Sequence, residues 1–206
     1  RDRMKRNVEI RHRTIKFIRD FLDERKFLEI ETPMLIKGTP EGSREYIVPS
    51  RLHPGKFYVL PQSPQQLKQL TMVAGLDRYF QIARCFRDED LRGDRQPEFL
   101  QLDFEMSFCE QEDVQRIIEG SLLAILNECS QKPLKNGKVE RYTWKEVMDR
   151  YGSDKPDLRF GLEFVDVTEI AKKSDFQVFN KAEKIKCINP EDKFSRNEID
   201  DLINFA

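Results

Sequence analysis

The sequence predicts an α+β fold, an antiparallel sheet flanked by helices, and three observations carry that reading. Two consecutive segments, 79–86 and 99–108, have strand character and are joined by a charged loop, 90–98. Helical periodicity precedes them at Ile15, Ile18, Phe21 and Leu22, and follows them at Val114, Ile117, Ile118, Leu122, Ile125 and Leu126. Two helix-start patterns, Ser63 with Gln66 and Thr143 with Glu146, supply further helices.

The first helix is amphipathic, with Arg11, Arg13, Lys16, Arg19 and Asp20 falling largely off its apolar face. Residues 28–31 then alternate apolar and acidic as a strand that Thr32-Pro33 ends or bends. The stretch 37–44 carries Gly38, Pro40 and Gly42 among charged residues and reads as a mobile surface loop. Strand character resumes at 57–60. Ser63 is expected as an N-cap with Pro64 at the first helical position, Leu67, Leu70, Val73 and Ala74 toward a core, and Gly75 as the stop. Gln65 and Lys68 share another face, free to reach into a site.

In the second strand of the hairpin, Leu100, Leu102, Phe104, Met106 and Phe108 point one way, and Gln101, Asp103, Glu105 and Ser107 the other. In the first, Phe80, Ile82 and Phe86 share the apolar side, which Arg84 interrupts, while Gln81, Ala83, Cys85 and Arg87 oppose them. Antiparallel pairing then assembles a polar floor of Arg87, Gln101, Asp103 and Glu105. For any one of these, an ordinary solvated sheet face is explanation enough. As a set with Glu89, Arg92 and Arg95, they place both charge signs at one end of a hairpin, which suits a ligand bearing anionic and cationic groups.

The remaining sequence gives a turn-rich 132–138, a short helix ending at Gly152, a strand at 164–167 and a helical pattern from near Ser195. A domain boundary is expected at 162/163. Acids and bases nearly cancel to a net charge of −1, so nucleic-acid contact must be local. Cys85, Cys109, Cys129 and Cys187 lack zinc or redox spacing and read as reduced thiols in a cytosolic protein. The basic residues 1–6 precede no signal-type apolar run, and no segment is apolar enough to span a bilayer. Both ends read as cuts in a longer chain.

Phe86-Arg87-Asp88-Glu89, a loop and Phe99 resemble motif 2 of class II aminoacyl-tRNA synthetases. The whole string RCFRDEDLRGDRQPEFLQLDFEMSF is similar to bacterial-type aspartyl-tRNA synthetases, as are GTPEGSREY from Gly38, QSPQQLKQL from Gln62 and YGSDKPDLRFGLE from Tyr151. Glu31-Thr32-Pro33 looks like motif 1. The resemblance covers essentially the whole chain. It implies a class II synthetase-type antiparallel sheet, incomplete here, in residues 1–162, with the beginning of an α/β insertion domain in 163–206.

The resemblance also implies roles. Arg87 contacts the ATP α-phosphate and the amino-acid carboxylate. Glu89, Gln96, Phe99 and Gln101 bind ATP, Phe99 by stacking on adenine. Glu41, Gln65 and Asp103 surround the substrate ammonium and backbone, and Lys68 pairs with the aspartate side chain. Arg92 and Arg95 lie near the tRNA acceptor end, Pro33 lies at a homodimer interface, and residues 37–45 close over aspartate. The implied activity is ATP-dependent activation of L-aspartate and its transfer to tRNA-Asp, with tRNA-Asn open, in a cytoplasmic protein. Mg²⁺ accompanies ATP, and no metal ligand is assigned in these residues. The glycine-rich third motif and an anticodon-binding domain are not found in the sequence, so these residues alone are expected to be inactive. Two alternatives stand beside this reading: an asparaginyl- or lysyl-tRNA synthetase, against which Lys68 and the RDEDLRGDRQPEF string argue, and a non-catalytic paralogue that binds without forming adenylate.

Overall fold

Helix α1, Asp2–Asp23, buries Ile18, Phe21 and Leu22, the apolar stripe the periodicity predicts. Its stop is made by Lys26, which takes a left-handed φ of 65°. That conformation costs a non-glycine residue roughly 1–2 kcal/mol. It lets Phe27 N donate back to Leu22 O at 3.0 Å, turning Phe27 into the core. The computed structural model describes residues 1–38, 42–90, 92–93, 95–130, 134, 137–159, 161–190 and 194–205. They fall into two compact units, Arg1–Val139 and Glu140–Ala206.

In the first unit, β1 (Leu28–Glu29), β4 (Arg78–Phe86) and β5 (Glu98–Met106) form one sheet in the order β1-β4-β5. β4 and β5 pair antiparallel as the alternation predicts, but β1 runs parallel to β4, so the sheet is mixed rather than antiparallel. The long crossover between β1 and β4 permits this, since only tight hairpins force antiparallel neighbours. That crossover holds the antiparallel pair β2 (Ile47–Pro49) and β3 (Phe57–Val59), followed by helix α2 (Gln65–Val73).

One sheet face packs on α1 and on α3 (Gln111–Cys129), through Phe27, Phe80, Ile82, Phe104, Met106, Ile117 and Ile125. Full burial of each large apolar side chain contributes roughly 1.5–3 kcal/mol. α3 starts with a capping box of Glu110 and Asp113 that the sequence reading missed. Expected inward, Phe108 instead lies beyond the end of β5, with φ 52° and full exposure. Reversing the chain toward α3 takes it off the sheet.

The opposite face is covered by α2, and here the sequence expectation inverts. The helix begins at Gln65 with Pro64 as N-cap and no side-chain capping hydrogen bond, so the Ser63–Gln66 box does not set its start. Leu70 and Val73 are 61% and 86% exposed, Ala74 is exposed, and the buried residue of α2 is Lys68, at 8%. The carboxylates beneath the helix account for the burial of Lys68: Asp103 and Glu105 pair with its ammonium on the polar floor. Gly75, with φ 83°, does end the helix.

The second unit holds α4 (Trp144–Tyr151), β6 (Phe164–Asp166), α5 (Thr168–Ala171), α6 (Gln177–Lys181), β7 (Lys186–Ile188) and α7 (Arg196–Phe205). β6 and β7 pair antiparallel. The Thr143–Glu146 capping box and left-handed Gly152 are as predicted. The expected division at 162/163 falls inside this unit, where Arg150 of α4 grips Glu163 at 2.6 and 2.8 Å. Among the described residues no helix is long and apolar enough to cross a membrane.

Candidate active site

The register of the hairpin builds the floor. Tyr79 stands opposite Glu105, Gln81 opposite Asp103, Ala83 opposite Gln101 and Cys85 opposite Phe99. Pleating puts all eight on one face, away from Phe104 and Met106. Lys68 reaches down from α2, its Nζ 2.9 Å from Asp103 Oδ1 and 3.1 Å from Glu105 Oε2. Burial opposes the lysine's charge, but the hydrogen bonds to Asp103 and Glu105 prevail and hold its pKa above the ordinary value. Two carboxylates on one ammonium leave a unit of negative charge. Asp103 Oδ2 is buried without a hydrogen-bond partner among the described residues, an acceptor suited to a ligand cation.

Beneath this pair, the fully buried Tyr79 donates its hydroxyl to Gln81 Oε1 at 2.8 Å, and Thr32 donates to the same oxygen at 3.0 Å. Burial first, then the charge of Asp103, pushes the Tyr79 phenol well up, so it stays a neutral donor. Sequence reasoning put Gln81 and Glu105 on the floor but assigned them no site role. It had no signal for Thr32, which lies 49 positions from its partner.

At the loop end of the hairpin a cavity of about 870 Å³ is lined by five residues that the sequence reading singled out: Arg87, Glu89, Arg95, Gln96 and Phe99. The Arg87 guanidinium lies 5.1 Å from the centre of the Phe99 ring, and its backbone N donates to Pro97 O at 2.8 Å. No acidic partner for Arg87 is found among the described residues, which leaves its two-pronged donor face for an anion. Arg95 approaches Glu89 only to 4.0 Å. Arg84, the residue breaking the apolar alternation, pairs with Glu98 at the cavity edge. Arg11 of α1 also lines the cavity, which the sequence gave no reason to expect.

Other expected site residues are less gathered. Gln65 opens α2 one turn before Lys68, Gln101 sits on the floor between Phe99 and Asp103, Arg92 is exposed outside the cavity lining, and Pro33 is exposed after β1. Glu41 lies outside the described residues. On its C-terminal side the chain is anchored. Gln62, almost wholly buried, accepts from Ser43 N and Oγ and donates to Ser43 O, while Arg44 bridges to Asp88. No three acidic, cysteine or histidine side chains converge among the described residues as a ready-made metal cluster.

Phe99, Gln101, Asp103 and Glu105 thus form a line along one strand face. Alternate residues are about 6.6 Å apart, so the ring and the lysine-held carboxylate are about 13 Å apart. The strand face carries an aromatic ring with the Arg87 guanidinium at one end and the Lys68–Asp103–Glu105 charge cluster at the other. Residues 1–198 match the family described as tRNA synthetases class II (D, K and N). The chain belongs to that family.

Relatives agree with this class II assignment. An aspartate–tRNA ligase of Geobacillus kaustophilus is 55% identical over 98% of the chain, and an aspartate–tRNA(Asp/Asn) ligase of Heliobacterium modesticaldum is 57% identical over 98%. A third, an aspartate–tRNA(Asp/Asn) ligase of Hydrogenobaculum sp., is 54% identical over the full chain. The chain spans about a third of their length, 34–35%.

Proposed function

We propose that the protein is an aspartate–tRNA ligase of cytoplasmic protein biosynthesis, and that this chain carries its aspartate pocket and part of its ATP site. The Lys68–Asp103–Glu105 cluster carries the reading. An α-ammonium satisfies Asp103 Oδ2, assisted by Gln65 and Glu41, and a side-chain carboxylate joins Lys68. A neutral asparagine amide is a poor replacement there, because a buried charge lacking its counter-charge is costly.

ATP lies toward the hairpin end, with adenine on Phe99 and with Glu89, Gln96 and Gln101 as polar contacts. Arg87 grips the α-phosphate and the substrate α-carboxylate by parallel hydrogen bonds. That aligns the carboxylate oxygen with phosphorus and offsets the negative charge that grows there. A carboxylate oxygen–phosphorus bond forms, the bond to the pyrophosphate oxygen breaks, and aspartyl-adenylate and pyrophosphate result. The terminal hydroxyl of tRNA then attacks the activated carbonyl and releases AMP. No general base is needed for the first step, because the nucleophile is already ionised.

Mg²⁺ enters as the ATP complex, and Arg92 and Arg95 meet the acceptor end of tRNA. Pro33 marks a homodimer face, and 163–206 begin an insertion domain. The names of the relatives favour tRNA-Asp as the common substrate and tRNA-Asn as a second one for some members. ATP–pyrophosphate exchange by the full-length protein, run separately with aspartate, asparagine and lysine, tests this. Aspartate alone is expected to support exchange; preference for either of the others would overturn the reading. The fragment 1–206 is expected to show none.

A further inference from the structure

Cys85 is fully buried in β4, directly across the hairpin from Phe99. Its thiol donates to Gln101 Oε1 at 3.3 Å, with the Ala83 carbonyl oxygen a longer contact at 3.7 Å. The cysteine therefore adjoins two residues that the reading above assigns to ATP, while making no claim on the ligand itself. We propose that Cys85 is a positioning residue for the nucleotide: its S–H occupies the carbonyl end of the Gln101 amide, so that the NH₂ end is offered to an acceptor oxygen of the bound nucleotide.

A primary amide has one end that accepts and one that donates, and the end facing a ligand decides which ligand atoms it can satisfy. Without a fixed neighbour, the Gln101 amide could present either end to a ligand. A donor fixed in the strand behind it removes that choice. The backbone hydrogen bonds of β4 set the position of Cys85, so the orientation is built into the hairpin before ligand arrives. A thiol is a weak donor, and the expected effect is modest.

This inference rests on the proposed function, and its test separates the two. In the full-length protein, aspartate-dependent ATP–pyrophosphate exchange is measured for wild type, Cys85→Ala, Cys85→Ser, Gln101→Ala and the Cys85→Ala/Gln101→Ala pair. Loss of one hydrogen bond predicts a rise of roughly 3- to 10-fold in KM for ATP with Cys85→Ala, and KM for aspartate within about twofold. Cys85→Ser keeps a donor at the position and is expected to recover most of the loss. On the Gln101→Ala background, Cys85→Ala should add less than about twofold, since the group it orients is gone. Equal shifts in both KM values, serine no better than alanine, or additive effects would overturn the positioning role. Absence of aspartate-dependent exchange in wild type would instead remove the functional reading beneath it.

Discussion

Lys68 Nζ stands 2.9 Å from Oδ1 of Asp103, while the other oxygen of that carboxylate is buried without a donor among the described residues. An unmatched buried acceptor costs roughly 1–3 kcal/mol, or more when charged. A cation placed at that oxygen would relieve the cost. Aspartate, which would bring both an ammonium to Asp103 and a side-chain carboxylate to Lys68, is expected to protect the amides around Asp103 from hydrogen exchange in the full-length protein, and asparagine at equal concentration, lacking that carboxylate, to protect them far less. Equal protection would show that the cluster does not distinguish charge.

Alkaline pH should weaken the first unit. Lys68 and Tyr79 both have folded pKa values above their ordinary ones, the lysine through its carboxylate hydrogen bonds against the effect of burial and the phenol through burial and nearby negative charge. A raised folded value means the native state holds its proton more tightly. The stabilisation is complete below the ordinary values, about pH 10, and is lost as pH rises above them. Denaturant midpoints should therefore show no loss from these groups up to about pH 9 and a fall above about pH 10, with a smaller fall in Tyr79→Phe. Tyrosinate absorbance showing Tyr79 ionised in the folded protein at its ordinary pKa would contradict this.

Gln62 joins the start of α2 to Ser43 through three hydrogen bonds in a nearly dry setting. Gln62→Leu leaves those backbone and hydroxyl groups without their partner. The expected loss of stability is about 1–3 kcal/mol by denaturant melting. Gln62→Glu, which keeps the acceptor but sets a buried carboxylate against Ser43 O, should cost at least as much. An unchanged midpoint for the leucine variant would show that Ser43 is satisfied elsewhere.

In the second unit Gly152 combines φ 69° with a Phe164 ring atom 2.6 Å from where a Cβ would stand. Gly152→Ala therefore meets both backbone strain and a clash, and should cost at least about 2 kcal/mol. Gly137, with φ 65° but open space around it, isolates the backbone part, since alanine there should cost only about 1 kcal/mol. Equal losses at the two positions would remove the Phe164 contact from the explanation.

Much of this was legible in the sequence, for physical reasons that vary along the chain. The sharing of faces in β4 and β5 followed from period-two alternation, which sends Phe104 and Met106 to the apolar side and Gln101, Asp103 and Glu105 to the other. The Thr143 and Gly152 caps follow local rules that need no tertiary knowledge. Helix α2 was misread for the opposite reason. Leu70 and Val73 announce a core face, and only the carboxylates contributed by a strand 35 residues later make Lys68 the buried residue. The parallel course of β1, the Thr32–Gln81 bond and the approach of Arg11 to the cavity are likewise products of long-range packing. The proposed ligand rests on resemblance of the hairpin string; the geometry independently supplies a buried charge cluster on the same strand face as the Phe99 ring.

The sharpest measurement is the kinetic split in Lys68→Met. In ATP–pyrophosphate exchange by the full-length protein, it should raise KM for aspartate by roughly 100-fold or more, on the basis that a desolvated charge pair contributes about 3–5 kcal/mol when broken. KM for ATP should stay within about threefold, as expected for a residue outside the cavity at the hairpin end. Equal rises in both constants, or an aspartate requirement that does not change, would show that Lys68 does not read the substrate side chain.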